Sequence, residues 1–240
     1  MVKRNHVIIA VLLIIIAVLS VLIITYHAPE NTSSHNMTYR ETLANNSDEP
    51  GTVEVIRNIG GNGSKIAYVV GLHPLEHETH ETMVKMLPNM TGLKHSYDLY
   101  IVNVTEGVGY YGDGLSNGEN PGRQNGQNLA YKYVYPEILN GDYEMAVDVH
   151  SNIGAYPYKT FVFSPVKEGL GTEYASQVEK QCPNITYYVP DSTTSGPYLT
   201  VPLNEKGIPA FYFEEYSFAS QNVKDEHMLE LISAVDNLDI

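Results

Sequence analysis

Two hydrophobic patterns follow one another repeatedly along this chain: short apolar runs typical of strands, and apolar residues at the spacing of a helix. Short runs of β-branched and aromatic residues at 66–70, 97–104 and 145–149 are typical of buried strands. Apolar residues at helical spacing in 76–87 and 225–238 predict amphipathic helices. Strands that alternate with helices indicate an α/β fold, with a mainly parallel mixed sheet and helices on both faces. Further strands are predicted at 52–59 (an edge strand), 160–163, 185–189 and 209–216, and further helices at 127–138 and 172–182.

The front of the chain has a different pattern. Residues 7–25 form a 19-residue stretch without a charged side chain, and Lys3 and Arg4 precede it. That length spans a bilayer, and the leading positive charges favour a cytoplasmic amino terminus. A cleaved signal peptide is the competing interpretation, but residues 26–28 offer no small-x-small cleavage site. We therefore predict that residues 1–26 are a single-pass anchor in the cell membrane and that the rest is extracytoplasmic.

The remaining chain divides into a linker and a domain. Residues 27–50 are rich in Asn, Ser, Thr and Glu without a hydrophobic period, which predicts a polar linker. Residues 51–240 are then predicted to form one domain of ordinary size. Within it, the Gly- and Asn-rich stretch 105–127 is predicted to be a long functional loop. Residues 191–197 have turn chemistry throughout and are predicted to form part of a cleft rim.

The net charge and the glycosylation sequons indicate which partners the protein can bind and whether it is exported. The formal net charge of −14 argues against a nucleic-acid partner, because phosphate binding needs clustered Lys and Arg. The only cysteine, Cys182, rules out an intrachain disulfide. Asn-x-Ser/Thr sequons outnumber the roughly two that the composition predicts by chance, which indicates an exported glycoprotein. The sequons begin at Asn31, Asn36, Asn45, Asn62, Asn89, Asn103 and Asn184.

Two predicted strands end in residue types that bind metal ions. His73 follows the strand at 66–70, and Glu76 lies on the first turn of the next helix, for which Pro74 is suited. His150 ends the later strand. The carboxyl ends of parallel strands meet at one crevice, so these three side chains can converge. Two nitrogens, one carboxylate and an open position for water form the usual catalytic zinc arrangement.

The same histidines have other interpretations. A lone histidine is more often a hydrogen-bonded polar residue than a metal ligand. Residues 73–77 also fit the H-x-x-E-H motif, in which both histidines bind zinc from one helical face and the glutamate is the base. Pro74 fits poorly within such a continuous helix. His77 and His80 are therefore predicted to face solvent or to lie behind the ligands.

Taken together, these elements resemble the zinc carboxypeptidase superfamily, including its succinylglutamate desuccinylase/aspartoacylase branch. The resemblance runs from residue 65 to residue 216, with its elements in the right order. It implies a zinc carboxypeptidase-like catalytic domain at 51–240 that holds one Zn²⁺ through His73, Glu76 and His150. The matching stretches are Gly71-Leu72-His73-Pro74-Leu75-Glu76 for the H-x-x-E element, Asp148-Val149-His150-Ser151 for the D-x-H-S element, and Phe211-Tyr212-Phe213-Glu214 for the strand that carries the catalytic glutamate.

The resemblance also implies roles for residues around the metal. Glu214 stands at the position of the catalytic base; Glu215 is its rival, since a register error of one reverses the faces, and both could instead be rim charges. Arg123 falls near the family's Asn-Arg element, which implies that it supports the oxyanion or grips a substrate carboxylate; a surface ion pair is the other interpretation. The chain has Gly122-Arg123 instead of Asn-Arg, and another alignment places Asn128 in the motif.

Three further residues complete the predicted site. Asp148 shares a strand face with His150 and is predicted to orient that ligand from behind, or merely to pair with a cation. Tyr198 and Tyr216 flank segments of the predicted cleft and are predicted to hydrogen-bond substrate, although packing explains most tyrosines equally well.

We therefore expect a membrane-anchored, extracytoplasmic, zinc-dependent amide hydrolase. The expected activity is that of a metallopeptidase or carboxypeptidase acting on peptides or amino-acid conjugates, including cell-wall peptides. One alternative is a deacylase of N-acyl amino acids, as the desuccinylase/aspartoacylase branch implies. Another is a cell-surface binding module that keeps the fold without turnover.

Overall fold

The computed structural model describes residues 37–46, 48–110 and 120–240. The predicted anchor at 1–26 lies outside the described residues, and so does the first part of the predicted linker. Among the described residues, no helix combines the length and the apolar character needed to cross a bilayer.

The described chain is built on one eight-stranded sheet with the strand order β1-β2-β4-β3-β5-β8-β6-β7. The central strands β4, β3, β5 and β8 pair in parallel, and β1, β2 and β6 join in antiparallel pairs. This is the mixed sheet that the sequence predicts. The strands are β1 Tyr39–Asn45, β2 Gly51–Gly60, β3 Lys65–Val70, β4 Ser96–Val104, β5 Tyr143–Asn152, β6 Phe161–Phe163, β7 Thr186–Tyr187 and β8 Ala210–Tyr216.

Helices cover both faces of this sheet. Along β3, Ile66, Tyr68 and Val70 belong to one hydrophobic cluster and Ala67 and Val69 to another, as the pleat of a strand requires. The helices are α1 His77–Met86, α2 Pro121–Leu129, α3 Tyr135–Asn140, α4 Leu170–Gln181, α5 Thr200–Glu205 and α6 Gln221–Asp236. Residues of α1, α4 and α6 join the first cluster, and residues of α2, α3 and α5 join the second. The predicted α/β fold with helices on both faces is confirmed.

Strand β1 corrects two predictions. It lies inside the predicted linker 27–50, and it pairs with β2, so that 52–59 is not an edge strand. The described sheet therefore begins before the predicted domain boundary at residue 51. The sequence gives little sign of β1, because only Ala44 in it is buried and the strand is held mainly by backbone pairing.

Helix α2 corrects a third prediction, since it lies mostly within the stretch 105–127 predicted as a loop. The side chain of Asn120 caps it by accepting hydrogen bonds from the backbone N–H groups of Gly122 and Arg123, and Pro121 occupies its first turn. Its glycines and amide side chains concealed the helical period. Close packing requires a glycine at position 126, because a Cβ atom there would lie 2.1 Å from the carbonyl oxygen of Leu72.

Candidate metal centre and active site

The parallel strands bring the chemical groups to one edge of the sheet. β3, β5 and β8 are neighbours, and His150 stands opposite Glu214 in their register. Gly71 ends β3 with a φ of +96°, and a Cβ atom there would lie 1.8 Å from the carbonyl oxygen of Val102. Only glycine allows this tight exit, which leads into His73 and a 3₁₀ turn at Pro74–Glu76.

His73, Glu76 and His150 form a buried cluster that could hold a metal ion, with their ligand atoms within 4.8 Å of one another. His73 Nδ1 lies 2.9 Å from Glu76 Oε1, and His150 Nδ1 lies 3.0 Å from Glu76 Oε2. Ligands that each lie about 2.0–2.2 Å from a zinc ion stand roughly 3.3 Å apart, so this spacing fits such an ion. The two-nitrogen, one-carboxylate donor set is the one predicted from the sequence.

The far nitrogens of both histidines also have polar neighbours. His150 Nε2 lies 3.0 Å from Asp148 Oδ1, at ion-pair distance. His73 Nε2 lies 3.1 Å from the side-chain amide of Gln127 on α2. Rotating that amide by 180° places its oxygen against the histidine, so Gln127 can accept the Nε2–H of a ligand bound through Nδ1. Such partners fix the tautomer and the ring orientation of metal-binding histidines.

Burial and neighbouring charges set the protonation of the cluster. Burial opposes the charge of Glu76, but His73 and His150 outweigh it and hold the pKa of that carboxyl well below its usual range. Burial lowers the pKa of His73 to about 3. Glu76 is therefore anionic and His73 neutral near pH 7. Burial opposes the charge of His150, but Asp148 and Glu76 raise its pKa well above the ordinary value, so a metal ion must displace a proton there. The backbone N–H of Ser151 donates to Glu76 Oε2 at 2.9 Å and holds the carboxylate in place.

Glu214 and Glu215 point to opposite faces of β8. Glu214 lines the cavity beside His73 and Glu76, and its Oε2 is buried without a hydrogen-bond partner. Burial, followed by the charge of Glu76, raises the pKa of Glu214 to about 8. Glu215 instead accepts hydrogen bonds from Thr160 at 3.0 Å and contacts His227 Nδ1 on α6 at 2.7 Å. Of these two residues, Glu214 is the one that faces the cluster and could transfer a proton beside it.

The cluster opens into a cavity of about 320 Å³. Arg123 lies in its wall, where Nη1 is 3.3 Å from Glu76 Oε1 and Nη2 donates to Thr194 Oγ1 at 2.7 Å. Residues 192–195 line the same cavity, so the predicted rim at 191–197 is confirmed as a wall segment. Arg123 is therefore part of the cavity and not a surface ion pair.

Three predicted substrate-binding residues do not line this cavity as the described residues form it. Asn128 lies one helical turn beyond Gln124, accepts its amide hydrogen at 2.8 Å and turns towards Glu49. The Tyr198 hydroxyl contacts Gln124 at 2.9 Å. Tyr216 stacks under Lys159, whose Nζ lies 4.3 Å from the ring centre. Neighbours outside the cavity hold all three, and a role for them in substrate binding stays a prediction.

His77 does not join the metal cluster. Its side chain is 61% exposed on the first turn of α1, and its nearest charged partner is Glu81 at 3.7 Å. The structure therefore speaks against the overlapping H-x-x-E-H interpretation. His80 is buried behind the cluster, with Nε2 3.9 Å from Glu76 Oε2, and burial lowers its pKa to about 4.

Gln127, Thr194 and Tyr156 are among the cavity and cluster residues that sequence reasoning did not single out. Gln127 and Thr194 lie in stretches whose composition indicated only a loop or a rim. A residue-level signal was absent, because their contacts to His73 and Arg123 join distant parts of the chain.

Comparison with solved structures identifies the fold. The cell shape determinant protein Csd4 of Helicobacter pylori aligns with a TM-score of 0.51 and 12% identity, over 77% of this chain and 54% of that one. A metallo-carboxypeptidase of Burkholderia cenocepacia aligns with a TM-score of 0.50 and 12% identity, over 84% and 64%. The fold is that of the metallo-carboxypeptidases. The fold that the sequence resemblance implied is thereby confirmed.

The likeness is partial in length and low in sequence. This chain spans from about half to two-thirds of the length of those two structures, 54% and 64%. A succinylglutamate desuccinylase/aspartoacylase of Rhodobacter sphaeroides aligns with a TM-score of 0.47 and 11% identity, over 84% and 67%, a score too low to favour that branch. No family model matches the sequence. No curated protein matches it.

Proposed function

We propose that this protein is a zinc-dependent amide hydrolase of the metallopeptidase type, anchored in the membrane with its catalytic domain outside the cytoplasm. The observation that carries the proposal is the buried His73, Glu76 and His150 cluster, with Glu214 beside it in one cavity. A structural ion pair does not require an acid with a raised pKa next to three metal-ligand side chains. Metal-assisted hydrolysis uses a carboxyl group in that position for proton transfer.

Each residue has a part in the proposed reaction. His73, Glu76 and His150 would hold the ion, which would lower the pKa of a bound water molecule and polarise the scissile carbonyl. Glu214 accepts the proton of the attacking water and delivers it to the leaving amine. Arg123, fixed by Glu76 and Thr194, presents a positive charge to the oxygen of the carbonyl under attack. Asp148 and Gln127 orient the two histidines.

A peptide is the substrate class that the comparisons favour. Csd4, which shares the fold at a TM-score of 0.50 and 11% identity, has been solved with a tripeptide bound. Within the described residues that line the cavity, Arg123 is the one lysine or arginine, so a peptide carboxylate and the carbonyl oxygen compete for a single guanidinium. Cell-wall peptides are the proposed natural substrates, because a tethered domain facing outward would meet them.

The proposed location follows from the sequence. The uncharged stretch 7–25, with Lys3 and Arg4 before it, supports an anchor whose carboxyl side leaves the cytoplasm. The described sequon asparagines at 45, 62, 89, 103 and 184 are all exposed, as glycan acceptors must be. A carbonate wash of membranes followed by protease protection tests this: the chain should stay with the membrane and be digested from the outer side.

The activity is tested with the purified full chain after zinc reconstitution. Three substrate sets are compared: peptides with a free carboxyl end, the same peptides amidated at that end, and N-acyl amino acids. Zinc-dependent release of amino acids or peptides, abolished by chelation and by Glu214→Gln, supports the proposal. Cleavage of the N-acyl amino acids alone would favour a deacylase. No cleavage in any set, despite a bound zinc ion, would favour a binding module.

A further inference from the structure

One aromatic side chain of the cavity wall has no role in the reaction described so far. Tyr156 lies on the loop after β5, six residues beyond His150, and lines the cavity together with His73, Arg123 and Glu214. It is half-buried. The tyrosines that the sequence favoured, Tyr198 and Tyr216, lie outside that lining.

The ring of Tyr156 is fixed by its neighbours. It packs edge-on against Phe161 with ring centroids 5.3 Å apart, and it lies 6.2 Å from the ring of Tyr188. The start of the loop is fixed as well, because Asn152 Oδ1 accepts the backbone N–H of Gly154 at 3.0 Å and Asn152 Nδ2 donates to the carbonyl oxygen of Lys159 at 2.9 Å. A side chain held in this way is pre-organised, and a ligand loses little entropy in using it.

The charged groups of the site affect the pKa of the Tyr156 hydroxyl. Burial raises the pKa of this phenol, and the carboxylates of Glu214 and Glu76 raise it further while Arg123 opposes them. The phenol therefore stays protonated at neutral pH. It is a neutral hydrogen-bond donor within the field of the same groups that act on the scissile bond.

Several other polar groups of the wall contact groups of the protein itself. Arg123 contacts both Glu76 and Thr194. Ser195 lies 3.0 Å from the Tyr212 hydroxyl. The Asn120 side chain accepts the N–H groups at the start of α2 and donates to the carbonyl oxygen of Val108. The contacts that hold Tyr156 are made through its ring, and from the cavity wall its O–H can donate to a substrate.

We infer that Tyr156 is a catalytic residue of the proposed hydrolase: its hydroxyl donates a hydrogen bond to the oxygen of the carbonyl under attack, alongside Arg123. The inference rests on the proposed function. No covalent bond to the phenol forms or breaks, and its proton stays on the tyrosine. The oxygen gains negative charge as water adds, so the hydrogen bond strengthens towards the transition state and acts on kcat more than on KM.

The test compares Tyr156→Phe with Tyr158→Phe in the zinc-loaded full chain. Tyr158 is the matched control, because it lies on the same loop, is 47% exposed and packs 5.5 Å from Tyr188 without lining the cavity. On the best peptide substrate of the parent, Tyr156→Phe is expected to lower kcat about 10- to 100-fold with KM within about twofold. Tyr158→Phe is expected to stay within about twofold of the parent in both constants.

A binding measurement supplies a second readout. A phosphinate analogue of that peptide, with tetrahedral phosphorus in place of the scissile carbonyl, is titrated by calorimetry. Its Kd should rise about tenfold with Tyr156→Phe and stay unchanged with Tyr158→Phe. Parent-like kcat and Kd in Tyr156→Phe would overturn the inference alone. A loss in Tyr198→Phe without one in Tyr156→Phe would also overturn it. A zinc-loaded parent that neither cleaves peptides nor binds the analogue would overturn the proposed function, and the inference with it.

Discussion

Two buried polar clusters lie at opposite ends of the same parallel strands, and they differ in how far their groups are satisfied. The amino-end cluster comprises Arg57, Lys65, Asp98, Tyr100 and Tyr143. In it, Asp98 pairs with Arg57 at 3.2 Å and Lys65 at 3.1 Å, accepts the backbone N–H of Asn58 at 2.9 Å, and accepts the Tyr143 hydroxyl.

The carboxyl-end cluster comprises His73, Glu76, Asp148, His150 and Glu214. Oε2 of Glu214 and Oδ2 of Asp148 are buried without a hydrogen-bond partner, while His150 Nε2 and Asp148 Oδ1 lie 3.0 Å apart without hydrogen-bond alignment. Leaving such groups unpaired costs free energy, of the order of 1–3 kcal/mol for each.

The difference separates a structural cluster from a functional one. Buried polar groups are normally hydrogen-bonded, as they are around Asp98. An unpaired group that faces a cavity, as Oε2 of Glu214 does, is retained where a ligand, an ion or a reacting group completes it. The sheet thus holds a closed network at one end and an open one at the other.

The largest effect, a loss of kcat, should come from a substitution in the carboxyl-end cluster. Glu214→Gln is expected to lower kcat by about 10²–10⁴-fold, because it removes the proton acceptor while keeping the shape of the side chain. Glu215→Gln is the matched control on the opposite face, and it should keep kcat within a few-fold while reducing stability. Steady-state kinetics on the zinc-loaded chain measure both. A greater loss of kcat in Glu215→Gln than in Glu214→Gln would reverse the assignment.

A substitution in the amino-end cluster should lower the stability of the protein and leave its metal binding unchanged. Asp98→Asn is expected to lower the free energy of unfolding by about 3–5 kcal/mol, because Lys65 and the partly buried Arg57 lose their shared buried anion. Urea unfolding measures this, and elemental analysis should find the zinc content unchanged. A loss of zinc at full stability would show that the two ends are not separate.

A smaller effect, on zinc affinity, is expected from Asp148, which lies behind His150. Asp148→Asn removes the negative charge 3.0 Å from His150 Nε2 but keeps the volume. Zinc affinity should fall about 10- to 100-fold, since a carboxylate behind a ligating histidine raises its basicity. Competition with a chromophoric chelator measures the affinity. An affinity equal to that of the parent would mean that Asp148 serves only packing.

The smallest effect concerns pH and lies outside both clusters. The hydrogen bond to Glu215 raises the pKa of His227 above its ordinary value of 6.5, and burial opposes this; the charges of Glu215, Glu230 and Glu226 raise it further. A raised histidine pKa contributes stability that is fully present below pH 6.5 and lost as pH rises through the folded-state value. The difference in unfolding free energy between the parent and His227→Gln should therefore be larger at pH 5.5 than at pH 9. An equal difference at both pH values would exclude this linkage.

The sequence predicted the elements that the site needs. Apolar runs ending in His73 and His150 placed the two histidines of the cluster, and strand alternation separated Glu214 from Glu215. These are local signals, because a strand shows its two faces and its end within a few residues.

Other features depend on contacts that local patterns do not carry. Strand β1 has one buried residue, so its pairing with β2 left no hydrophobic period. Helix α2 is rich in glycine and amide side chains, because it must approach Leu72 closely and place Gln127 against His73. Tyr156 reaches the cavity through a loop whose path only the folded sheet determines.

The most direct test of the metal centre is the zinc content of the full chain, measured by elemental analysis for the parent, His150→Ala and His77→Ala. The two variants remove a buried cluster histidine and an exposed one. The account predicts about one zinc ion per chain in the parent, none in His150→Ala and an unchanged content in His77→Ala. Zinc retained by His150→Ala, or no zinc in the parent after reconstitution, would contradict it.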